Sequence, residues 1–176
     1  MKIKKFEYKI VNSTNNTALR LINKTNIQYG MVTSISQKSG KGQYGKKWIS
    51  FKGNLFVSFF FKIKNHNLNI KRITKLNCEL IKKLLSKFYK KKITIKPPND
   101  LLINGKKICG ILQESVVKEG QKYLIIGIGI NLVKSPYIQE YPTTNLFDLT
   151  QKKIDKSKFQ NKLKSIFEKN LTKLIN

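Results

Sequence analysis

The run Tyr123 to Val133, YLIIGIGINLV, carries no charge over eleven residues and is apolar at odd and even positions alike. A half-exposed strand alternates apolar with polar; this run does not, so it predicts a strand lying centrally in a sheet and covered on both faces. Gly127 and Gly129 fall on one face of that strand, because successive side chains alternate. Glycines inside a strand weaken it, and they usually mark close approach by a ligand or by another stretch of backbone.

The neighbours of such a strand are legible nearby. Residues 3–11 alternate as a first strand, and Ser13 and Thr14 are placed to cap a helix reaching about Asn23, with Ala18, Leu19 and Ile22 on one side. Residues 31–36 and 54–63 predict two more strands, with Leu55, Val57, Phe59, Phe61 and Ile63 sharing one face of the second. Ile70, Ile73, Leu76, Leu80, Ile81, Leu84, Leu85 and Phe88 recur at three- and four-residue spacing, which predicts a helix over about 70–89. A short strand near 93–96 precedes a Pro-Pro break. Asn104-Gly105 between apolar runs predicts a hairpin, and residues 107–117 and 122–133 predict another that turns near Glu119-Gly120. Phe159, Leu163, Ile166, Phe167, Leu171 and Leu174 are in register for a helix over about 155–174. Two hairpins without regular strand–helix alternation argue for an α+β fold: a mixed, largely antiparallel sheet flanked by helices.

The chain has 176 residues, one domain's length. No stretch approaches the roughly 18 uncharged apolar residues of a membrane span. The first residues, MKIKKFEYKI, alternate with charge instead of forming a signal-peptide core. The expectation is a cytoplasmic protein without membrane contact. Lys and Arg number 36 against 9 Asp and Glu, a formal charge of +27. That favours weak, non-specific attraction to phosphates. Specific nucleic-acid recognition leans on arginine, whereas only Arg20 and Arg72 are arginines and the lysines are spread over the whole chain. Cys78 and Cys109 stand in apolar contexts without a partner at metal-ligand spacing, so buried thiols are expected. His66, the one histidine, sits in the polar run KNHNLN and reads as a loop residue.

Four places could carry chemistry. The loop Gly40-Lys41-Gly42-Gln43-Tyr44-Gly45-Lys46-Lys47-Trp48 combines glycines, which let backbone N–H groups approach an anion, with lysines and a terminal aromatic. It lacks the spacing of a P-loop. Taken alone, most such loops are solvated turns. Pro97-Pro98-Asn99-Asp100 presents one of few acids beside a strand, although an Asn-Asp turn bonding its own backbone reads equally well. Lys107 opens a strand seven residues past Asp100 and is one of 34 lysines. Gly127-x-Gly129-x-Asn131 is the fourth.

Together and in this order, Ser13-Thr14-Asn15, Gly40-Lys41-Gly42-x-x-Gly45-x-x-Trp48, Pro98-Asn99-Asp100, Lys107-x-x-Gly110-Ile111-Leu112 and Gly127-x-Gly129-x-Asn131 resemble the catalytic domain of biotin–protein ligases, over about residues 6–133. The resemblance implies a class II synthetase-like domain that uses ATP and Mg²⁺ to make biotinyl-adenylate. The biotin then passes to a lysine of the biotin carboxyl carrier domain of a carboxylase. It implies that Ser13, Thr14, Asn15, Gln37, Lys41, Gly42, Gln43 and Lys107 bind biotin, and that Gln43, Trp48, Asn99 and Asn131 serve the nucleotide. Lys107, Asp100 and Lys41 are the implied catalytic groups: Lys107 bridges carboxylate and α-phosphate, and Asp100 orients or deprotonates the acceptor lysine. No protein metal site is implied, since Mg²⁺ arrives with ATP.

Three departures from the family pattern are visible. Lys41 and Gln43 stand where the family's loop has arginines, which implies a less tightly held adenylate. Pro97 replaces a usual Trp. The chain is expected to be a single catalytic domain over 1–176, without the winged-helix domain of repressor-type members and therefore without specific DNA binding. Residues 134–176 read as mainly helical, without an SH3-like domain. A lipoate-type ligase and a non-catalytic biotin- or carrier-binding module are the alternatives.

Overall fold

In the computed structural model, residues 2–64 and 69–175 are described, with side chains for all of these except 171 and 173–175. His66 and the side chains of Leu171 and Leu174 therefore lie outside the described residues. The strands are β1 (Lys4–Val11), β2 (Tyr29–Gln37), β3 (Leu55–Lys62), β4 (Ile93–Lys96), β5 (Asp100–Ile103), β6 (Lys106–Lys118) and β7 (Gln121–Ile130). The helices are α1 (Thr14–Lys24), α2 (Ile70–Leu85), α3 (Leu146–Thr150) and α4 (Lys156–Ile175).

One seven-stranded sheet runs in the order β1-β2-β3-β7-β6-β5-β4, so the uncharged strand β7 is the middle one, as its composition demands. Only β1 and β2 pair in parallel; all other pairs are antiparallel, giving the mixed α+β architecture expected from the sequence. Both hairpin turns hold left-handed residues: Asn104 and Gly105 at φ 51° and 74°, Glu119 and Gly120 at 49° and 73°. Two such residues in a two-residue loop match the right-handed twist of the strands they join.

The sheet separates two apolar layers. Leu55, Val57, Phe59 and Phe61 of β3 and Ile126, Ile128 and Ile130 of β7 face α2 and α4 in the larger core, where Phe59 stacks on Phe167 at 4.1 Å between centroids. The other face packs Val32, Phe60 and Ile125 against Ala18 and Ile22 of α1. β3 is thus buried on both faces rather than one, because α1 covers the even-numbered side that the alternation of its odd positions leaves open. The helix at 70 stops at Leu85, short of the expected 89. The chain there tightens into three-residue bonds, Lys87 N–H to Leu84 O and Phe88 N–H to Leu85 O, and Tyr89 still buries itself. Helix α3 falls in the stretch read as mainly helical, ahead of the helix expected from about 155. Residues 134–145 are not helical: they form an irregular strap along β6, tied by Lys107 N–H to Pro142 O at 2.9 Å and Thr144 N–H to Lys107 O at 2.9 Å.

Candidate active site

Helix α1 covers only part of its face of the sheet. Beyond it, β7 and β6 present glycines where side chains would otherwise fill the layer. Gly129 pairs with Gly110 across the two strands, and Gly127 lies two residues down β7 opposite Ser58 of β3. A Cβ on Gly129 would stand 2.4 Å from Cε2 of Trp48, and one on Gly127 would stand 2.3 Å from Oδ1 of Asn15. The close approach that the sequence predicts at these glycines is therefore made by the protein's own side chains. The result is a cavity of about 280 Å³ with a backbone floor. Ser13, Thr14, Asn15, Gln37, Lys41, Gly42, Gln43, Trp48, Asn99, Asp100 and Lys107 all line it.

One end is polar and neutral. The N-terminus of α1 places Thr14 and Asn15 over β3 and β7. Thr14 N–H donates to Gln37 Oε1 at 2.8 Å, Gln37 Nε2 donates to Ser50 Oγ at 3.1 Å, and Ser58 Oγ lies 2.8 Å from Thr14 Oγ1. Asn15 Nδ2 donates to Glu114 Oε2 at 2.7 Å, and its Oδ1 meets the Ser58 hydroxyl. Ser13 occupies the N-cap position of α1, but its side chain makes no cap bond.

The other end is charged. Asp100, at the start of β5, pairs in register with Gly110, and Lys107 reaches across from β6. Lys107 Nζ lies 2.9 Å from Asp100 Oδ1, as an ion pair outside hydrogen-bond geometry, since that buried oxygen has no hydrogen-bonding donor among the described residues. The same ammonium sits 5.5 Å from the Trp48 ring and 5.1 Å from the Tyr141 ring on the strap, within cation–π range. Trp48 Nε1 is buried without a partner among the described residues, a donor available to a ligand acceptor. The loop that carries Trp48 closes on itself through Gly42 N–H to Lys46 O at 2.7 Å and Trp48 N–H to Gly40 O at 2.9 Å. Lys41 Nζ stands 4.0 Å from Glu114 Oε1 at its mouth.

Two predicted residues have their side-chain groups committed elsewhere. Asn131 lies outside the cavity: its Nδ2 donates to Thr144 O at 3.1 Å, so its polar groups hold the strap rather than the floor. Asn99 lines the cavity, yet its Nδ2 donates to Ile111 O and joins the Pro-Pro segment to β6. Ser58, Glu114, Asn54 and Tyr141 escape the sequence reading. Ser58 and Glu114 did leave a trace, a lone serine in LFVSFFF and an acid in a chain with few; Tyr141 left none. Burial raises the Cys78 thiol to about 11, with Asp100 adding to the effect, and burial raises Cys109 as well. Both thiols are inert neighbours of the site at neutral pH.

Residues 7–131, which contain every lining residue named above except Tyr141, match the biotin/lipoate A/B protein ligase family. The chain belongs to that family. It is 30% identical over 168 residues to the bifunctional ligase/repressor BirA of Bacillus subtilis, covering 91% of this chain and 51% of that protein. The biotin–[acetyl-CoA-carboxylase] ligase of Paracoccus denitrificans is 29% identical over 108 residues, 60% of this chain and 45% of its own. The chain spans about half the length of these curated relatives. Among solved structures, the biotin protein ligase of Aquifex aeolicus in complex with biotin and ATP superposes with a TM-score of 0.81 at 27% identity, covering 98% of this chain and 72% of that one. The expected class of fold is thus found in a family relative over nearly all of this chain.

Proposed function

We propose that this chain is an ATP-dependent biotin–protein ligase. One observation carries the reading: a single cavity joins a neutral hydrogen-bonding end, Thr14, Asn15 and Gln37, to a cationic end built on Lys107 and Asp100, over a floor without side chains. A bicyclic urea with a carboxylate tail has the matching polarity along its length. In this reading a carboxylate oxygen of biotin attacks the α-phosphorus of ATP and pyrophosphate leaves. The ε-amine of a carrier lysine then attacks the acyl carbon of biotinyl-adenylate, AMP leaves, and the amine proton is lost. Lys107 offsets charge between carboxylate and α-phosphate, Lys41 extends the positive wall, and Asp100 holds Lys107 while orienting the incoming amine. Trp48 covers the nucleotide, Gln43 and Asn99 flank it, and Ser13 and Gly42 complete the biotin end. Magnesium enters as part of the nucleotide substrate, bound to its phosphates. The acceptor is a biotin carboxyl carrier domain, whose encounter the +27 charge would speed if the carrier is acidic. No helix among the described residues is long and apolar enough to cross a membrane, and the reading places the reaction in the cytoplasm.

The test is transfer of labelled biotin to a carrier domain, with and without ATP, for the wild type and Lys107→Ala. The expected result is ATP-dependent labelling that falls about 10²–10³-fold in the variant, the cost typical of removing one preorganised charge-stabilising group. Biotin binding without transfer would leave a binding module. Transfer of lipoate in place of biotin would assign the chain to the other branch of the family.

A further inference from the structure

The neutral end of the cavity is a chain of hydrogen bonds whose two ends both accept. It runs Glu114–Asn15–Ser58–Thr14–Gln37, bringing together residues as far apart in sequence as 15 and 114. A carboxylate only accepts, so Asn15 must turn its Nδ2 to Glu114, at 2.7 Å, and its Oδ1 to Ser58. At the far end Gln37 Nε2 is engaged by Ser50 Oγ at 3.1 Å, so Gln37 turns Oε1 to Thr14 Oγ1, at 3.1 Å. Both ends are therefore acceptors. Between them lie three oxygen–oxygen contacts, Asn15 to Ser58, Ser58 to Thr14 and Thr14 to Gln37, served by the two hydroxyl protons of Ser58 and Thr14. Gln37 Oε1 also accepts from the Thr14 N–H at 2.8 Å, so both hydroxyls are free to donate toward Asn15, Thr14 to Ser58 and Ser58 to Asn15 Oδ1. The donors of the row are then spent on one another and its oxygens keep lone pairs. Thr14, Asn15 and Gln37 line the cavity, so this end meets its contents with acceptors.

We propose that Glu114 is a specificity-determining positioning residue: by fixing the orientation of Asn15 it makes the ring end of the cavity an acceptor surface, which selects a ring bearing N–H donors, a cyclic urea, over a ring with none, a dithiolane. The proposal rests on the biotin reading and names the feature of that substrate which the protein recognises. Glu114 is well placed for it. It is half-exposed on β6, its other oxygen 4.0 Å from Lys41, and Gly127 gives Asn15 room to lie flat on β7. Without the carboxylate, Asn15 can rotate its amide by half a turn. Its Nδ2 then faces Ser58 as a donor, and an acceptor of the row is lost.

The experiment is ATP–pyrophosphate exchange driven by biotin or by lipoate, in the wild type, Glu114→Gln and Glu114→Leu. A glutamine can accept from Asn15 but can also donate to it, so it holds the orientation less firmly; a leucine offers neither. In Glu114→Leu the KM for biotin should rise about 10–100-fold, the loss of one or two hydrogen bonds to the ligand. Its kcat should stay within about threefold, and the preference for biotin over lipoate should fall by at least about tenfold on the same energetic grounds. Glu114→Gln should fall between wild type and leucine in KM, since it keeps a bond to Asn15 but no longer only accepts. A second comparison does not depend on leucine being tolerated. Asn15→Asp sets two carboxylates face to face, and adding Glu114→Gln to it restores a donor–acceptor pair, with the donor now on residue 114 and an acceptor oxygen of residue 15 still facing Ser58, so the double variant should recover most of the KM lost in the single one. A biotin KM unchanged in Glu114→Leu, or Glu114→Gln more impaired than leucine, or no recovery in the double variant, overturns the proposal while leaving the biotin reading in place. A wild type that exchanges with neither acid removes the biotin reading and this proposal with it.

Discussion

Asn54 makes the strap beside the site testable by itself. It is fully buried just ahead of β3, and its Oδ1 accepts from three consecutive backbone N–H groups, Leu132 at 3.1 Å, Val133 at 3.0 Å and Lys134 at 3.1 Å. Its Nδ2 donates to Lys134 O at 2.6 Å and, more weakly, to Asn131 Oδ1 at 3.4 Å. One side chain thus ties the exit of the central strand to the strap that lays Tyr141 over Lys107. In Asn54→Ala, three donors sharing two lone pairs amount to about two bonds, and Lys134 O to about one more, each worth roughly 1 kcal/mol net. Buried Leu132 N–H left without a partner adds to the loss. Val133 is partly exposed and Lys134 exposed, so their amides can turn to water, which offsets part of it. The expected destabilisation is about 2–4 kcal/mol, a fall of roughly 5–15 °C in Tm for a domain of this size. Thermal and urea unfolding followed by circular dichroism measure it. Asn54→Asp keeps the acceptor for the three amides but buries a charge and turns an oxygen toward Lys134 O, so it too should destabilise. A variant Asn54→Ala within about 0.5 kcal/mol of wild type, the range of ordinary surface substitutions, would refute the assignment of this amide as the clamp.

Two further outcomes follow from the geometry. Gly129→Ala places a methyl 2.4 Å from the Trp48 indole, which stands on a loop and can swing away. Stability should therefore change by less than about 1 kcal/mol, since alanine also restricts the unfolded chain, while KM for ATP rises several-fold in the exchange assay; an unchanged KM would show that the indole's seat on the glycine floor is irrelevant. Glu168 ties α4 to the start of β1. Burial pushes its carboxyl up, but the Ile3 N–H at 2.9 Å and Lys164 at 2.7 Å outweigh this and hold it below the ordinary 4.5. A depressed carboxyl stabilises the fold above its unfolded value and loses that contribution as pH falls through its folded value. The stability gap between wild type and Glu168→Gln should accordingly be largest near neutrality and close in acid, below about 4.5. A gap independent of pH would mean that the charge contributes nothing.

Read residue by residue, the sequence determined those features whose physics is local. The uncharged run of β7 fixed its place in the middle of the sheet, since no partly exposed position could tolerate it. Asn104-Gly105 specified one hairpin, because positive φ is written into both residue types, and Gly120 marked the other, where the turn carries Glu119 into the left-handed region as well. The loop lysines and glycines, Asp100, Lys107 and the alternate glycines of β7 were visible as candidates, and their order along the chain carried the family resemblance. What periodicity encodes is which face of an element is buried, not what it is buried against. Only the tertiary structure decided that β3 lies beside β7, that the floor is shared by glycines of β6 and β7, and that its close neighbours are Asn15 and Trp48. It diverted Asn131 from the cavity to the strap, recruited Tyr141 from a stretch with no pattern, and joined Glu114 to Asn15 across 99 positions of chain. Hydrogen-bond partners of that separation are chosen by packing, which no local pattern records.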